Sequence, residues 1–456
     1  MSVKQHRRLF VPIAAAAVMG LALTGCTGDI AAQTAEDTDC ADYEAYGEFE
    51  GNPEVTIGGT IQDDEADRLV QSWADFQACT GIAVNYTGTK EFEAQIAVLA
   101  EGGSAPDIGI IPQPGLFNKL ADAGFLEPAP EAVEANVDEW WSEAWKGYGT
   151  GSDGTFYSAP LMASIKGYVW YSPTEFEEKG YEIPKSLDEL NELTATIAAD
   201  SAEGAKPWCV GLGSGDATGW PGTDWIEDYV LRQAGAETYD KWVTHEIPFN
   251  DPAIVEAFNS VGETILNPDY VNGGLGDVTS LISTEFGDAG LPILDGTCSL
   301  HHQASFYEGF WKNADGSEVT VAPDGDVYAF LLPPAKAGDQ QAVTGGGEFV
   351  GAFKSSDEIT AVLTYLSSDT WANNRVELGG VISANTGLDA SLASSDILKQ
   401  SVEILQDPDS VFRFDGSDLM PGAVGTDSFW KGIVGWVSGD DTQKVVDTIE
   451  SSWPKS

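Results

Sequence analysis

The stretch SGDATGWPGTDWIED at residues 214–228 concentrates side chains that could recognise a sugar, with two tryptophans, three glycines and four acids. A sugar presents an apolar C–H face and a rim of hydroxyls, so proteins bind it with an aromatic ring and fixed carboxylates or amides. Each buried polar group left unmatched costs about 1–3 kcal/mol, which provides selectivity. Trp220, held by Pro221 on a predicted loop, fits stacking and core burial equally well. The helical spacing of Trp225 and Tyr229 favours burial.

Acidic pairs raise a second possibility, which is glycoside hydrolysis. The acids at 63–65, or Asp415 with Asp418, could act as an acid and a nucleophile. The chain has 73 acidic residues, however, so such pairs arise by chance, and a solvated or helix-capping role is favoured for each. His301 and His302 are adjacent and would face opposite sides of a strand, which disfavours a shared metal. No nucleophile elbow, phosphate loop or dinucleotide motif occurs, so we expect no catalytic constellation, cofactor or metal site.

The N-terminus has the pattern of an export signal. Residues 1–10 carry three basic residues besides a histidine and no acid, and the apolar run at 9–23 is shorter than the roughly 20 residues that span a bilayer. The sequence Leu-Thr-Gly-Cys at 23–26 resembles the lipobox of bacterial lipoproteins. It predicts a signal peptide over residues 1–25 and a lipid on Cys26, which places the protein on the extracytoplasmic face of the cell membrane.

The residues that follow, and the chain as a whole, are strongly acidic. Residues 26–52 are polar and rich in small residues, which predicts a lipidated, extended and solvated tether. With 22 basic and 73 acidic residues, the formal net charge is −51. This charge excludes nucleic acid as a partner, because a phosphate backbone would be repelled. The remaining length, with 42% hydrophobic residues over the whole chain, suffices for two lobes.

Four cysteines remain for disulfides in an oxidising compartment: Cys40, Cys79, Cys209 and Cys298. Three pairings are possible. We favour Cys40–Cys79 and Cys209–Cys298, because each pair then falls within one region of the predicted architecture. A zinc site is the alternative, but there is no C-x-x-C, and the histidines are not at ligand spacing from the cysteines.

Strands and helices alternate from residue 54. The patterns predict strands at 54–61, 82–86 and 107–111, with helices at 65–78, 91–100 and 115–124. This order is typical of a parallel, doubly wound sheet, in which ligands bind outside the carboxyl ends of the strands. Those ends read IQDDE and PQPG.

A second series begins near residue 165. We expect strands at 165–171 and 208–214, a helix opened by the capping box Ser186–Glu189, and a helix at 223–235. The segment QAVTGGGEFVGAF at 341–353 has the apolar and glycine content of one strand that returns from one lobe to the other.

Several motifs together identify a family. The chain resembles the substrate-binding lipoproteins of bacterial carbohydrate ABC importers (extracellular solute-binding proteins, family 1), and is most similar to the alpha-glucoside-binding branch. The resemblance extends from about residue 54 to the C-terminal SSWP. It rests on APDIGIIPQPGL, ASIKGYVWYSP, SGDATGWPGTDWIEDYVLRQAG, THEIPF, CSLHHQASF, TGGGEFVGAF and RFDGSDLMPGAVG.

The resemblance implies an α/β, two-lobed periplasmic-binding-protein-like fold (type II). Each lobe would be a doubly wound sheet flanked by helices, with the ligand cleft at the hinge. Residues 53–162 and 342–384 would form lobe 1, and residues 163–341 and 385–456 lobe 2. Chain crossings are expected near 160–166, 341–347 and 380–386.

The resemblance also implies a set of ligand contacts. Glycines at 345–347 suit this role physically, because their backbone N–H groups can approach a ligand closely. The implied contacts are Gln62, Asp63, Asp64, Gln113, Lys166, Asp216, Trp220, Asp224, Gln303, Gly346, Gly347, Glu348 and Asp418.

The predicted function is that of a lipid-tethered, monomeric receptor without enzymatic activity. It would bind an alpha-glucoside or a related oligosaccharide, close on it, and deliver it to the transmembrane subunits of an ABC permease. The alternatives are a surface-anchored glycosidase, which would turn over nitrophenyl alpha-glucosides, and an adhesin that binds no small molecule.

Overall fold

The computed structural model describes residues 38–312 and 316–455. The predicted signal peptide, the lipid site at Cys26 and the tether up to residue 37 lie outside the described residues. Within the described ranges, no helix is both long and apolar enough to cross a membrane.

Short strands form the framework of the described chain. Strand formation follows the apolar pattern of the sequence. In Ile108–Ile111, for example, all four residues are buried, as expected for a strand that is covered on both faces of its sheet. The strands are β1 Glu54–Gly59, β2 Ala83–Gly88, β3 Ile108–Ile111, β4 Ser158–Pro160, β5 Ser164–Ile165, β6 Tyr168–Tyr171, β7 Lys206–Trp208, β8 Cys298–Gln303, β9 Tyr328–Leu331, β10 Ala342–Gly346, β11 Phe349–Ala352 and β12 Val411–Phe414.

Helices cover the strands, and many begin at a side-chain cap. The hydroxyl of Ser186, for example, accepts from the backbone N–H of Glu189 at 3.2 Å, as the capping box predicts. The helices are α1 Asp63–Gln71, α2 Ala74–Thr80, α3 Phe92–Glu101, α4 Pro114–Asp122, α5 Glu131–Trp140, α6 Glu143–Tyr148, α7 Pro173–Lys179, α8 Leu187–Asp200, α9 Trp220–Ala234, α10 Ala236–Val243, α11 Pro252–Ile265, α12 Phe286–Ala289, α13 Asp357–Leu366, α14 Asp369–Glu377, α15 Asp396–Gln406, α16 Gly416–Leu419, α17 Trp430–Val437 and α18 Thr442–Glu450.

The strands of the described chain form three sheets, with orders β2-β1-β3-β11-β4, β12-β10-β5 and β7-β8-β6-β9. In the first sheet β1 is parallel to both β2 and β3, as expected. Strand β11 then joins it antiparallel to β3, with Phe349 opposite Ile111. Each predicted series of elements therefore has its own sheet, and a small third sheet links them.

Two segments predicted as single strands are each broken between two sheets. In the first, β5 pairs with β10 while β6 pairs with β8 and β9, and the break falls at Lys166 and Gly167. In the second, β10 belongs to the three-stranded sheet and β11 to the five-stranded one, with Gly347 and Glu348 between them. The apolar pattern shows that each segment can pair, but it does not show that its two halves have different partners.

The predicted helix at 65–78 is also two helices, α1 and α2. Tertiary contacts occupy the backbone and side chain of Ser72 at the break. The phenol of Tyr365 donates to the Ser72 carbonyl at 2.8 Å, and the indole of Trp371 donates to its hydroxyl at 3.0 Å. The strand predicted at 208–214 is largely wrong as well, because β7 covers Lys206–Trp208 and shares only Trp208 with it. Both differences depend on contacts with residues distant in the sequence.

The described core divides into two hydrophobic clusters. The first includes Ile57, Ile110 and Phe349 of the five-stranded sheet, and the second surrounds α9, α11 and α17. The first cluster also contains Tyr168 and Trp170 of β6. It therefore extends across the expected lobe boundary, and the exact division of the chain into lobes stays a prediction.

Disulfides join Cys40 to Cys79 and Cys209 to Cys298, with Cα–Cα distances of 5.5 and 5.7 Å. This is the pairing that the sequence favours.

The disulfide between Cys40 and Cys79 fixes a segment that was expected to be solvated tether: residues Ala41–Tyr46 form a 3-10 helix, and Tyr43 is buried. Its phenol oxygen accepts from Asn374 at 3.0 Å. The prediction of an extended leash is therefore wrong for this part of the tether.

We expect Gly167→Ala to lower the free energy of unfolding by about 3 kcal/mol. Gly167 has a φ of +76°, and an added Cβ would lie 2.6 Å from the Asp228 carboxylate. The control is Gly180→Ala, which has a φ of +72° but no atom within 4 Å of the added Cβ. Its cost should be the left-handed strain alone, about 1–2 kcal/mol. Urea denaturation compares the two, and equal losses would contradict the expectation.

Candidate ligand-binding site

A cavity of about 690 Å³ lies where the strand ends meet. The residues after β1 and β3, read from the sequence as IQDDE and PQPG, both contribute to its wall. Residues at the break between β5 and β6 and at the break between β10 and β11 contribute as well. The points at which the chain changes sheet are therefore also the points that line the cavity.

Ten of the thirteen predicted contact residues line this cavity. They come from the ends of β1 and β3, both strand breaks, the start of α9, and α16: Gln62, Asp63, Asp64, Gln113, Lys166, Trp220, Gly346, Gly347, Glu348 and Asp418.

The other three predicted residues do not line the cavity. Asp224 is buried and accepts a hydrogen bond from Lys166, so it holds a residue of the cavity wall without lining the cavity itself. Gln303 is buried, and its side-chain oxygen accepts from the backbone N–H of Ala304 at 2.8 Å. Asp216 is exposed on a short 3-10 turn, although its neighbours Ser214 and Ala217 reach the cavity. The motif predicted the right segments but not which of their side chains face the cavity.

Trp220 is the first residue of α9 and not part of a loop, which corrects the expectation. The helix begins after Gly219, whose φ is +116° and where an added Cβ would overlap the backbone of Trp430. The Trp220 ring is partly buried and forms an edge contact with Phe286, at 5.1 Å between ring centroids. Trp225, by contrast, is core, as predicted, with 2% of its surface exposed.

Sequence reasoning missed most of the aromatic wall. The rings of Phe286, Phe306 and Phe310 lie within 6.3 Å of one another between centroids, and Trp220 contacts the first two. Trp311 and Trp430 also line the cavity. The run SFYEGFW at 305–311 was the available signal, because four aromatic residues in seven exceed what a short turn needs for its own packing.

Lys166 is the central cation of the site. Its Nζ atom lies 2.7 Å from a carboxylate oxygen of Asp224, contacts Asp415, and lies 5.4 Å from the centroid of the Trp220 ring. Asp415 in turn accepts from the Ser417 hydroxyl at 2.8 Å and the Asp418 N–H at 2.9 Å. Burial opposes a charged lysine, but the two carboxylates outweigh it and raise the pKa of Lys166 well above its usual value.

One lysine cannot compensate all the buried acids around it. Lys166 and hydrogen bonds overcome burial to lower the pKa of Asp415. Burial, together with the charge of Asp415, raises the pKa of Asp224 to about 8 despite Lys166. The same causes raise the pKa values of Glu227 and Asp418 well above their usual range. Burial therefore favours the protonated form of these carboxyls, and a protonated carboxyl can donate as well as accept a hydrogen bond.

Asp228 fixes the strands behind the cavity. Its carboxylate accepts from Arg232 at 2.6 Å, from His302 at 2.8 Å and from the Thr344 hydroxyl at 2.6 Å. Burial alone would raise the pKa of Asp228, but Arg232 and then His302 lower it below the usual value. Because Thr344 is in β10, this network positions the neighbouring Gly346 at the cavity wall.

The histidine pair behaves as predicted. Nδ1 of His301 pairs with the Cys209 carbonyl at 2.9 Å, while Nε2 of His302 pairs with Asp228 on the other side of β8. Among the residues that the structure describes, no group of three or more histidines, cysteines or acids is arranged to hold a metal ion.

Comparison with known proteins identifies the family. Residues 62–373 match the bacterial extracellular solute-binding proteins. The chain is 36% identical to the osmoprotective compounds-binding protein GgtB of Synechocystis sp. over 89% of its own length and 94% of the relative. It is also 36% identical to the alpha-glucosides-binding periplasmic protein AglE of Rhizobium meliloti, over 88% and 86%. The chain belongs to the bacterial extracellular solute-binding proteins.

The fold agrees with this family. The bacterial solute receptor AcbH, described as having a preference for β-D-galactopyranose, superimposes with a TM-score of 0.72 and 20% identity. The match covers 88% of this chain and 98% of that receptor. The predicted α/β, two-lobed fold is therefore confirmed, and as a member of this family the solute-binding protein works outside the cytoplasm.

Stability of this solute-binding protein should fall at alkaline pH through Asp224. A carboxyl with a raised folded-state pKa contributes its full stabilisation at a pH below its unfolded-state pKa of about 4. That contribution is lost as the pH rises through the folded-state pKa of about 8. Between about pH 6 and pH 9, the wild-type free energy of unfolding should drop about 2 kcal/mol further than that of Asp224→Asn. Urea titrations measure the difference. The exposed Asp216→Asn variant serves as control, and an equal drop in all three proteins would contradict the assignment.

Proposed function

We propose that this protein is the substrate-binding component of an ABC importer and that it takes an alpha-glucoside or a related oligosaccharide. The observation that carries the proposal is a cavity lined by both aromatic rings and fixed polar groups. The ring of Trp220 suits the C–H face of a sugar, and the carboxyls near Lys166 suit its hydroxyls. The names of the relatives GgtB and AglE support the same ligand class.

The polar wall matches a neutral, hydroxyl-rich ligand in particular. A hydroxyl group both donates and accepts, and the wall offers carboxyls with raised pKa values such as Asp418, together with the amide of Gln113. Micromolar binding needs about −8 kcal/mol, which one or two ring contacts and several charge-assisted hydrogen bonds supply.

We further propose that the sugar is released chemically unaltered. In the glycosidase alternative, Asp415 or Asp418 would attack or protonate the substrate. The two oxygens of Asp415 are already occupied by Lys166, by the Ser417 hydroxyl and by the Asp418 N–H. This carboxylate therefore organises the wall and is not free to act as a nucleophile.

Closure of the lobes would sequester the sugar. Lys90, between β2 and α3, and Glu285, before α12, form an ion pair of 2.9 Å at the cavity. Both side chains are about half exposed, so the pair contributes only about 0.2–1 kcal/mol. Ligand contacts made on both lobes would supply the larger part of the driving force and shift the population to the closed state.

We also propose that the protein is a monomer held at the extracytoplasmic face of the membrane by a lipid on Cys26. The lipobox-like sequence at 23–26 and the family's extracellular role support this location. From there it would hand the sugar to the transmembrane subunits of the permease.

Calorimetry against maltose, trehalose and sucrose should find at least one ligand, and Trp220→Ala should weaken its binding about tenfold to hundredfold through loss of ring packing. Trp453→Ala is the matched control, because Trp453 stacks on His245 and does not line the cavity. Nitrophenyl alpha-glucosides should show no turnover. Binding of a peptide or a metal ion in place of every sugar would overturn the ligand class.

Replacement of Cys26 by serine should abolish lipid attachment. A serine hydroxyl cannot form the thioether that carries the lipid, and cleavage before residue 26 should fail with it, so the variant should keep the residues before 26 and run above the wild type on a gel. Metabolic labelling with a fatty acid should mark the wild type alone. Labelling of Cys26→Ser would show that the anchor lies elsewhere.

A further inference from the structure

Arg68, in the last turn of α1, lines the cavity of the proposed sugar site. In the part of the chain that the structure describes, its guanidinium has no hydrogen-bond partner and no ion-pair partner. Its Nε atom is buried, whereas the terminal nitrogens Nη1 and Nη2 keep accessible surface. The cavity lysines Lys90 and Lys166, by contrast, are already paired with acids. Arg68 therefore offers unused N–H donors to a ligand in the cavity.

Two glycines make room for the guanidinium. A Cβ added at Gly380 would lie 3.2–3.4 Å from Nη2, Cζ and Nε of Arg68, so this glycine covers one face of the planar group. A Cβ added at Gly309 would lie only 2.7 Å from Nη2, so this second glycine abuts its end. A side chain at Gly309 would therefore displace the guanidinium, and the absence of one fixes where its N–H groups can lie.

Acids near Arg68 interact with its charge but do not occupy its donors. Burial raises the pKa of Glu65, one turn earlier on α1, and Arg375 and then Arg68 oppose that rise. Burial also raises the pKa of Glu308, and hydrogen bonds from two serine hydroxyls oppose that rise, with a smaller effect from Arg68. Neither carboxyl accepts a hydrogen bond from Arg68. The N–H groups of the guanidinium thus stay free although acids are close by.

The position and shape of the guanidinium suit adjacent hydroxyl oxygens. Gly309 directly precedes Phe310 of the aromatic wall, so Arg68 borders the surface on which a sugar ring would pack. A guanidinium has donors only, in a rigid planar fork, so two N–H groups can reach two oxygens on neighbouring carbons. Asp63 and Asp64, exposed at the start of the same helix, also line the cavity and disfavour an anionic ligand.

We propose that Arg68 donates to two hydroxyl oxygens on adjacent carbons of the bound sugar, and that Gly309 and Gly380 position it for this contact. The proposal rests on the sugar-binding function above and adds a specificity-determining residue to it. A sugar that lacks either hydroxyl leaves one N–H group of Arg68 without an acceptor, so the site selects for the intact pair.

Calorimetry with maltose, trehalose and sucrose compares the wild type with Arg68→Met, which keeps a long side chain but has no donor. We expect the best-bound sugar to bind about thirtyfold to a hundredfold more weakly. The thermal midpoint without ligand should hardly change, because Arg68 has no hydrogen-bond partner in the described protein. Arg413→Met is the matched control, since the Arg413 guanidinium is paired with Asp240 and does not line the cavity, and it should bind as the wild type does.

Arg68→Lys separates the planar fork from the charge. It keeps the positive charge but not two donors in one plane, so we expect it to bind the neutral sugar at least about tenfold more weakly. In the wild type, the same sugar with a primary hydroxyl oxidised to a carboxylate should bind no better than the neutral form. Tighter binding of the carboxylate form would overturn the preference for hydroxyl oxygens.

Monodeoxy analogues of the best-bound sugar locate the contact. Removal of either of two neighbouring hydroxyls should weaken binding to the wild type about tenfold or more, and binding to Arg68→Met by less than about threefold. Equal losses in the two proteins at every position would overturn the contact.

Gly309→Ala tests the positioning without a change to Arg68. The added Cβ should displace the guanidinium and weaken binding about tenfold, with little further loss in an Arg68→Ala background, where no guanidinium remains to be displaced. Gly147→Ala is the control, because its added Cβ meets no atom within 4 Å. Binding by Gly309→Ala at the wild-type level would overturn the positioning role.

The outcomes separate this proposal from the proposed function. A sugar that binds equally well to the wild type and to both Arg68 variants, Met and Lys, would overturn the role of Arg68 and leave the sugar-binding function standing. Failure of all three sugars to bind to the wild type would overturn both.

Discussion

The contact between Lys166 and its two carboxylates connects the parts of the molecule that form the cavity. Lys166 lies in the break between β5 and β6, Asp224 is in the first turns of α9, and Asp415 follows β12. One cation thus joins two sheets and a helix at the cavity wall. The removal of one partner would leave a buried charge uncompensated, which costs about 3–5 kcal/mol. The position of the other polar groups depends on this arrangement.

The excess of acids has different consequences outside and inside the cavity. The formal net charge of the chain is −51, and the acids that are exposed at the surface are solvated by water. At the cavity, burial raises the pKa values of Asp418 in the wall and of the buried Asp224 and Glu227 next to it. Acids that would repel one another in the ionised form become donors when protonated. A wall that contains both protonated and ionised carboxyls therefore offers the hydrogen-bond donors and the acceptors that a hydroxyl requires.

Most of the secondary structure and part of the candidate site could be predicted from the sequence. Alternating patterns located β1, β2 and β3, and the rule that ligands bind at strand ends led to the segments IQDDE and PQPG. The family resemblance then implied Gln62 and Gln113 within them. The sequence did not show that residues 341–353 are two strands, because pairing partners are set by chain segments far away. Nor did it reveal Phe286, since a single phenylalanine near a short helix has no distinctive spacing. Trp220 was found by residue type but placed on the wrong element, because Pro221 is as typical of a first helical turn as of a loop.

The broken strands explain how occupancy of the cavity can be coupled to lobe position. Gly346 ends β10 in one sheet, Phe349 begins β11 in another, and Glu348 between them lines the cavity. A ligand that contacts this junction touches the backbone where a change in the angle between the sheets must be absorbed. In the proposed closure, its binding free energy would therefore differ between the open and closed states, and this difference would shift the population toward the closed state.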